Sequence, residues 1–127
     1  MKIASIETCK TVWCPKGAFV SRRLILADDN MGFGMTVTTV LPGEPYRWHY
    51  KNHLEACYCV QGNGILTDCA TGERHVIKPG KAYLLDKHDE HLFEAHHDPV
   101  TLVCVFNPPL TGDEVHQEDG SYAKAEV

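Results

Sequence analysis

The feature that most constrains this chain is a succession of short apolar runs, each closed after a few residues by a turn signal. The clearest run, residues 35–41, is dense in β-branched residues and ends at Pro42-Gly43. Such residues pack well on a pleated sheet, and no amphipathic helix of about ten residues separates the runs. The pattern therefore predicts an all-β sandwich or barrel. The further strand candidates are residues 46–50, 56–60, 64–68, 75–77, 82–85, 91–95 and 100–106.

The two ends of the chain carry less pattern. Residues 1–20 favour no element, and the run at 22–27 fits a strand or a short helix equally well. After Pro108-Pro109 the chain turns polar and acidic, so we expect residues 107–127 to form a tail or lid without a core of its own. The 127 residues have the length of one domain, which predicts a single domain over residues 1–127.

Composition excludes several classes of partner. Twelve Lys and Arg against seventeen Asp and Glu give a formal charge of −5, which offers no basic footprint for nucleic acid or an anionic membrane. No run approaches the ~20 apolar residues of a membrane span. We therefore expect a small-molecule substrate. Glu7 precedes any apolar signal segment, and the six cysteines contain no CxxC pair, so we expect reduced thiols and a cytoplasmic protein.

The histidines point to a site, because seven of the eight lie between residues 49 and 97. The chain also repeats the spacing of two known motifs, and this spacing resembles the cupins, which are double-sheet β-barrels. The second motif keeps only Gly80 and His91 in identity. The first motif is matched as Gly43, five residues, His49, one residue, Lys51, three residues, Glu55, six residues and Gly62.

Imidazole and carboxylate groups that face a barrel lumen are suitable ligands for a divalent metal, whose Lewis acidity activates a bound carbonyl. In this sequence Lys51 stands where the motif has a second histidine, and a fixed cation is a poor ligand. One ligand is therefore missing or replaced. Tyr83 follows Gly80 on a predicted strand, and a phenolate can be an anionic oxygen ligand.

Longer blocks carry a more specific resemblance, to the ectoine synthase family, over roughly residues 20–122. The resemblance implies a small cupin that works as a homodimer, uses iron, and closes N-γ-acetyl-2,4-diaminobutyrate into ectoine with loss of water. The matching blocks are residues 21–24 (SRRL), 27–33 (ADDNMGF), 50–56 (YKNHLEA), 85–91 (LDKHDEH), 103–112 (VCVFNPPLTG), 114–116 (EVH) and 118–120 (EDG).

The resemblance also implies roles for individual residues. The metal ligands of the family fall on Glu55, Tyr83 and His91. We expect Glu114, His116 and Tyr50 to take part in catalysis, with Glu114 and His116 as candidates for the proton transfers. The substrate-contacting positions fall on Arg23, Thr38, Tyr50, His53, Cys104, Phe106, Glu114 and His116.

Two departures from the family pattern leave other functions open. Phe19 stands where the family has a tryptophan, and Tyr122-Ala123 replaces a Tyr-Pro pair. A related cupin acting on a different substrate is one alternative, and a non-catalytic cupin that binds an osmolyte is another. An iron dioxygenase is a third, although the loss of a histidine to Lys51 weighs against it.

The remaining histidines and cysteines have both ordinary and functional interpretations. His49 is either an additional ligand or a loop residue, and His53 is either a substrate contact or a group that supports one. His88 is predicted to belong to a charged loop, and His96-His97 to a solvated strand end. Cys57 and Cys59 share one face of a predicted strand, where buried core thiols are the favoured interpretation.

Overall fold

A computed structural model describes residues 1–14, 17–112 and 114–115. Over these residues the fold consists of β-strands and one 3₁₀ turn, Ala27–Asp29. No helix in the described part is both long and apolar enough to cross a membrane. The strands are β1 (Lys10–Trp13), β2 (Phe19–Ile25), β3 (Gly34–Val40), β4 (Tyr46–Trp48), β5 (Leu54–Gln61), β6 (Gly64–Asp68), β7 (Arg74–Ile77), β8 (Ala82–Leu85), β9 (His91–Ala95) and β10 (Val100–Asn107).

The strands form two antiparallel sheets that face each other. The first has the order β1-β2-β3-β10-β5-β8, and the second has the order β4-β9-β6-β7. The strand β8 is an edge of the first sheet and β7 is an edge of the second. A cleft of about 410 Å³ runs between these two edges and reaches Tyr83 and His91. The predicted all-β, double-sheet architecture is confirmed.

Strict alternation of buried and partly buried residues along the central strands places the core between the sheets. Along β3 and β10 every second residue is buried, as expected when one face of a strand packs inward. Phe93, Val100 and Leu102 have no exposed surface. Burying a side chain of this size stabilises the fold by about 1.5–3 kcal/mol, so the inward faces fix the register of the strands.

The first twenty residues depart from expectation, because β1 and the start of β2 lie there. The strand β1 pairs with β2 at the edge of the first sheet, and three of its four residues are exposed. It therefore shows no apolar alternation that sequence reasoning could detect. The ambiguous run at 22–27 divides into the end of β2 and the 3₁₀ turn.

The C-terminal segment begins inside the fold. Asn107 is the last residue of β10, and Leu110, only 1% exposed, packs into the core. The Leu110 carbonyl accepts a hydrogen bond from the Ala27 amide at 2.8 Å. The start of the predicted tail is thus anchored to the barrel, and the lid itself stays a prediction because residues 116–127 lie outside the described residues.

Candidate active site and metal centre

Cross-strand register places five inward-facing, buried side chains in one row across the first sheet. The row runs from Arg23 on β2 to Thr36 on β3, Cys104 on β10, Cys57 on β5 and Tyr83 on β8, each residue pairing with the next. All five are at most 8% exposed. Directly opposed side chains in a sheet are neighbours, so polar groups from five strands meet on one interior surface.

The three residues predicted as metal ligands lie around this surface. Glu55 is on the same face of β5 as Cys57, and the Tyr83 and His91 rings are 6.2 Å apart between centroids. Glu55 Oε1, the Tyr83 hydroxyl and His91 Nε2 are buried and have no hydrogen-bond partner among the described residues. Buried polar atoms are normally paired, so an unpaired atom on each of these three residues fits a donor set for a cation.

The orientation of His91 prepares one nitrogen for a metal. Its Nδ1 lies 2.9 Å from the Asp89 carbonyl oxygen, which can only accept, so Nδ1 carries the proton. Nε2 then holds the lone pair. Burial lowers the pKa of His91 below 6.5, which favours the neutral ring. Metal-binding histidines typically use one nitrogen as ligand and donate the other N–H to such a carbonyl.

The carboxyl and phenol groups of the set are held in a low-dielectric environment. Burial raises the pKa of Glu55 well above 4.5 and that of Tyr83 well above 10. Both shifts arise because the anionic forms lack a compensating positive charge. A bound divalent cation would supply that charge, so the donor set also fits a metal electrostatically.

An aromatic wall borders the donor set. Tyr50 and Phe106 meet edge to face at 5.5 Å between ring centroids, and His53 meets Phe106 at 6.0 Å. Tyr50 is also 6.1 Å from the His91 ring. All three residues of this wall are at most 3% exposed. The predicted substrate-contacting residues Tyr50, His53 and Phe106 are therefore neighbours of the predicted ligands.

Arg23 connects the site to the C-terminal segment. Its Nη1 donates to the Gly112 carbonyl at 2.8 Å and lies 3.7 Å from Glu114 Oε1. Burial tends to raise the pKa of Glu114, but hydrogen bonds from the Thr111 and Gly112 amides outweigh it and lower the pKa below 4.5. Glu114 is therefore ionised at neutral pH. His116, its predicted partner, lies outside the described residues.

His88 has a role that the sequence did not suggest. Its Nδ1 lies 2.8 Å from the Tyr50 carbonyl and 3.1 Å from the His53 carbonyl. Because carbonyls only accept, Nδ1–H donates and ties the β8–β9 loop to the β4–β5 loop. The backbone at His88 is left-handed (φ 53°), a conformation that most residues avoid. No sequence pattern reports such a loop contact.

Other predicted residues lie at the margin of the site. His49 directs Nδ1 to Glu90 at 3.3 Å, and Lys51 is exposed, as expected for a position without a ligand role. Thr38 lies 3.8 Å from the Cys104 sulfur. Phe19 is buried edge to face against Trp48 at 5.2 Å, so it packs in the core at this position.

Cys57 is buried, in agreement with its interpretation as a core thiol. It donates to Cys104 at 3.6 Å between sulfur atoms. That hydrogen bond lowers the pKa of Cys104, whereas burial raises the pKa of Cys57 well above 9. Sequence reasoning missed the proximity of Cys57 to the site, because it depends on which strands are neighbours.

Comparisons with known proteins bear on the family and the fold of this chain. The sequence matches the family model "Ectoine synthase" over residues 2–126. The L-ectoine synthase of Marinomonas sp. (strain MWYL1) is 47% identical over 116 residues, which cover 91% of this chain and 89% of that relative. The crystal structure of ectoine synthase from P. lautus aligns with a TM-score of 0.81 at 38% identity, over 88% of this chain and 81% of that one.

A more distant structure bears on the fold alone. The Cupin_2 domain of an XRE family transcriptional regulator from Enterobacter cloacae aligns with a TM-score of 0.60 at 18% identity. The alignment covers 72% of this chain and 98% of that domain. The predicted cupin fold is confirmed.

Proposed function

This chain belongs to the ectoine synthase family, and from that premise we propose that it closes N-γ-acetyl-2,4-diaminobutyrate into ectoine with loss of water, using iron held by Glu55, Tyr83 and His91. The observation that supports the iron site is that each of these three residues has a buried polar atom without a hydrogen-bond partner in the described region. When bound, the metal supplies Lewis acidity toward the acetamido carbonyl, which is a poor electrophile by itself.

Residues of the row and the aromatic wall would position the substrate. Arg23 is a buried guanidinium whose Nη1 donates to the Gly112 carbonyl, and its positive charge would attract the substrate carboxylate. Tyr50, His53 and Phe106 would exclude water from the aliphatic part of the substrate. Thr38 on β3 and Cys104 on β10 would also contact the substrate. Holding the amine against the carbonyl carbon makes ring closure intramolecular and removes much of its entropic cost.

Ring closure needs two proton movements. The α-ammonium nitrogen must lose one proton before it attacks and a second as the carbon–nitrogen double bond forms, and the carbonyl oxygen must gain two protons to leave as water. The ionised Glu114 can accept a proton but has none to give at neutral pH, so base is the role that fits it. Tyr50 and His116 are the proposed groups for the other transfer.

Elemental analysis of purified variants tests the iron site. Wild-type protein should hold about one iron per chain. The iron content of Glu55→Ala and of His91→Ala should be lower by more than about tenfold. His96→Ala, which removes an exposed imidazole, is the matched control. Wild-type iron content in both site variants, with native circular dichroism, would eliminate this ligand assignment.

Turnover tests the reaction itself. Incubated without oxygen, the iron-loaded protein should convert N-γ-acetyl-2,4-diaminobutyrate to ectoine with no redox cofactor, because loss of water involves no net electron transfer. Binding of ectoine without turnover would favour an osmolyte-binding protein. Turnover that required oxygen would favour a dioxygenase.

The proposed assembly is a homodimer in the cytoplasm. Support for the dimer comes from the outer face of β5 and β8, where Leu54, Tyr58, Val60 and Leu84 are 40–66% exposed. An apolar patch of this kind marks interaction surfaces. Sedimentation should show a dimer that Tyr58→Glu weakens, while Val76→Glu, equally exposed on the other sheet, leaves it intact. A monomeric wild type would refute it.

A further inference from the structure

Two thiols from the middle of the row and a neighbouring carboxylate meet in the interior of the fold. One possible ligand atom from each of Glu55, Cys57 and Cys104 lies within 4.8 Å of the other two. The two sulfur atoms are 3.6 Å apart, and the three side chains are 2–6% exposed. Sulfur and oxygen donors that are this close together and shielded from water can bind one metal ion.

The backbone holds these donors in place. Cys57 and Cys104 are direct partners on β5 and β10, which are both interior strands of the first sheet. Glu55 is two residues before Cys57 and therefore on the same face of β5. Little reorganisation is needed to bring the three groups onto a metal, because strand register has already done so.

The sulfur separation suits shared coordination. Two thiolates bound about 2.3 Å from one tetrahedral ion are roughly 3.8 Å apart. The observed 3.6 Å is close to this value, whereas a disulfide would need the sulfur atoms at about 2.05 Å. A cation can therefore enter between the sulfurs without displacing either strand.

We propose that Glu55, Cys57 and Cys104 form a second, sulfur-containing donor set that takes a thiophilic divalent cation such as Zn²⁺ or Cd²⁺ and competes with iron for Glu55. Thiolate ligands select such ions, whereas the oxygen and nitrogen atoms of Glu55, Tyr83 and His91 suit iron. Each thiol releases its proton to solvent when the ion binds. The competition rests on the proposed iron site, but the sulfur-containing set does not.

The experiment titrates metal-free, fully reduced protein with Co²⁺ and with Cd²⁺ in the absence of oxygen. Sulfur-to-metal charge-transfer absorption reports thiolate ligands directly and does not depend on enzyme activity. The wild type should show the band at one ion per chain. Cys57→Val should reduce its intensity to about half or less and weaken Cd²⁺ binding by about 100-fold or more.

Cys59→Ser is the matched control. Cys59 is fully buried on the same face of β5, but its sulfur faces the Gln61 and Gly62 carbonyls at 3.6 Å. This variant should keep the band and the affinity. A wild type without the band, an unchanged band in a folded Cys57→Val protein, or a band lost in Cys59→Ser would each overturn the proposal.

A competition arm separates this proposal from the iron assignment. Cd²⁺ added to iron-loaded wild type should release iron one for one, and Cys57→Val should retain its iron at the same Cd²⁺ concentration. If Cd²⁺ binds while iron stays, the shared use of Glu55 is refuted. If the protein never binds iron, the proposed iron site fails, whereas the charge-transfer band still decides the sulfur-containing set.

Discussion

Leu110 anchors the C-terminal segment, and its truncation to alanine gives a prediction whose size follows from the structure. The side chain is 1% exposed and belongs to the core, and the segment after it supplies the Gly112 carbonyl and Glu114 to Arg23. Leu110→Ala should therefore destabilise the fold and loosen the contact between this segment and the site.

The magnitude has two parts. Leucine to alanine removes the equivalent of about three methylene groups, worth roughly 0.8 kcal/mol each. A residual cavity of about 25 Å³ would add roughly 0.6 kcal/mol, because the surrounding strands relax only partly. The free energy of unfolding should fall by about 3 kcal/mol, and Tm should fall by about 10 °C for a chain of this length.

Urea denaturation followed by circular dichroism measures the change. The m-value should stay constant, because the surface that becomes exposed on unfolding is nearly the same in both proteins. Val115→Ala is the control: Val115 is 45% exposed in the same segment, and its loss should cost less than about 0.5 kcal/mol. A loss below about 1 kcal/mol in Leu110→Ala would refute the packing of this segment in solution.

Three further predictions concern other parts of the fold. In urea denaturation, Gly62→Ala should lower the free energy of unfolding more than Gly80→Ala does. Both glycines have positive φ, so both substitutions strain the backbone. A Cβ at Gly62 would also meet the Pro99 carbonyl oxygen at 2.3 Å, whereas the space at Gly80 is open. His88→Ala should lower kcat/KM about tenfold by releasing two loop carbonyls, and His88→Asn, which tolerates the left-handed backbone, should retain more activity in the same assay. Burial lowers the pKa of His53, so below pH 6.5 the unfolded state binds more protons than the folded state. The free energy of unfolding should therefore fall as pH falls through that value. An equally steep dependence of the unfolding free energy on pH in His53→Gln would contradict this.

Strands with one buried face could be predicted from the sequence. Residues 35–41 were predicted as a strand, and β3 occupies Gly34–Val40, because alternation of β-branched residues and a terminal Pro-Gly encode both the element and its end. The edge strand β1 was not predicted, since its stability comes from pairing with β2 and its own residues remain exposed. The alternation of apolar and polar residues indicates which side chains are buried. It reveals a paired strand only when one face of that strand is also buried.

The candidate site divides along a similar line. Glu55 and His91 could be proposed from motif spacing, whereas Tyr83 needed the family resemblance, because a tyrosine on a strand is usually a core residue. The contributions of Cys57 and His88 depend on strand order and on a contact between two loops. Such long-range relations are absent from any short window of sequence. The structure brings the three candidate ligands together, and their binding of iron stays a prediction.

The row from Arg23 to Tyr83 also determines when during folding the site comes into existence. Its members lie on β2, β3, β10, β5 and β8, so β10 must insert between two strands that precede it in the chain before the middle of the row is complete. Pairings between such distant segments close large loops and form slowly. Tyr83 lies at the end of the row, on the edge strand β8, which pairs with β5. No fragment lacking either end of this row can assemble it, and catalytic competence during refolding should trail the appearance of β-structure by the time that β10 takes to insert between β3 and β5.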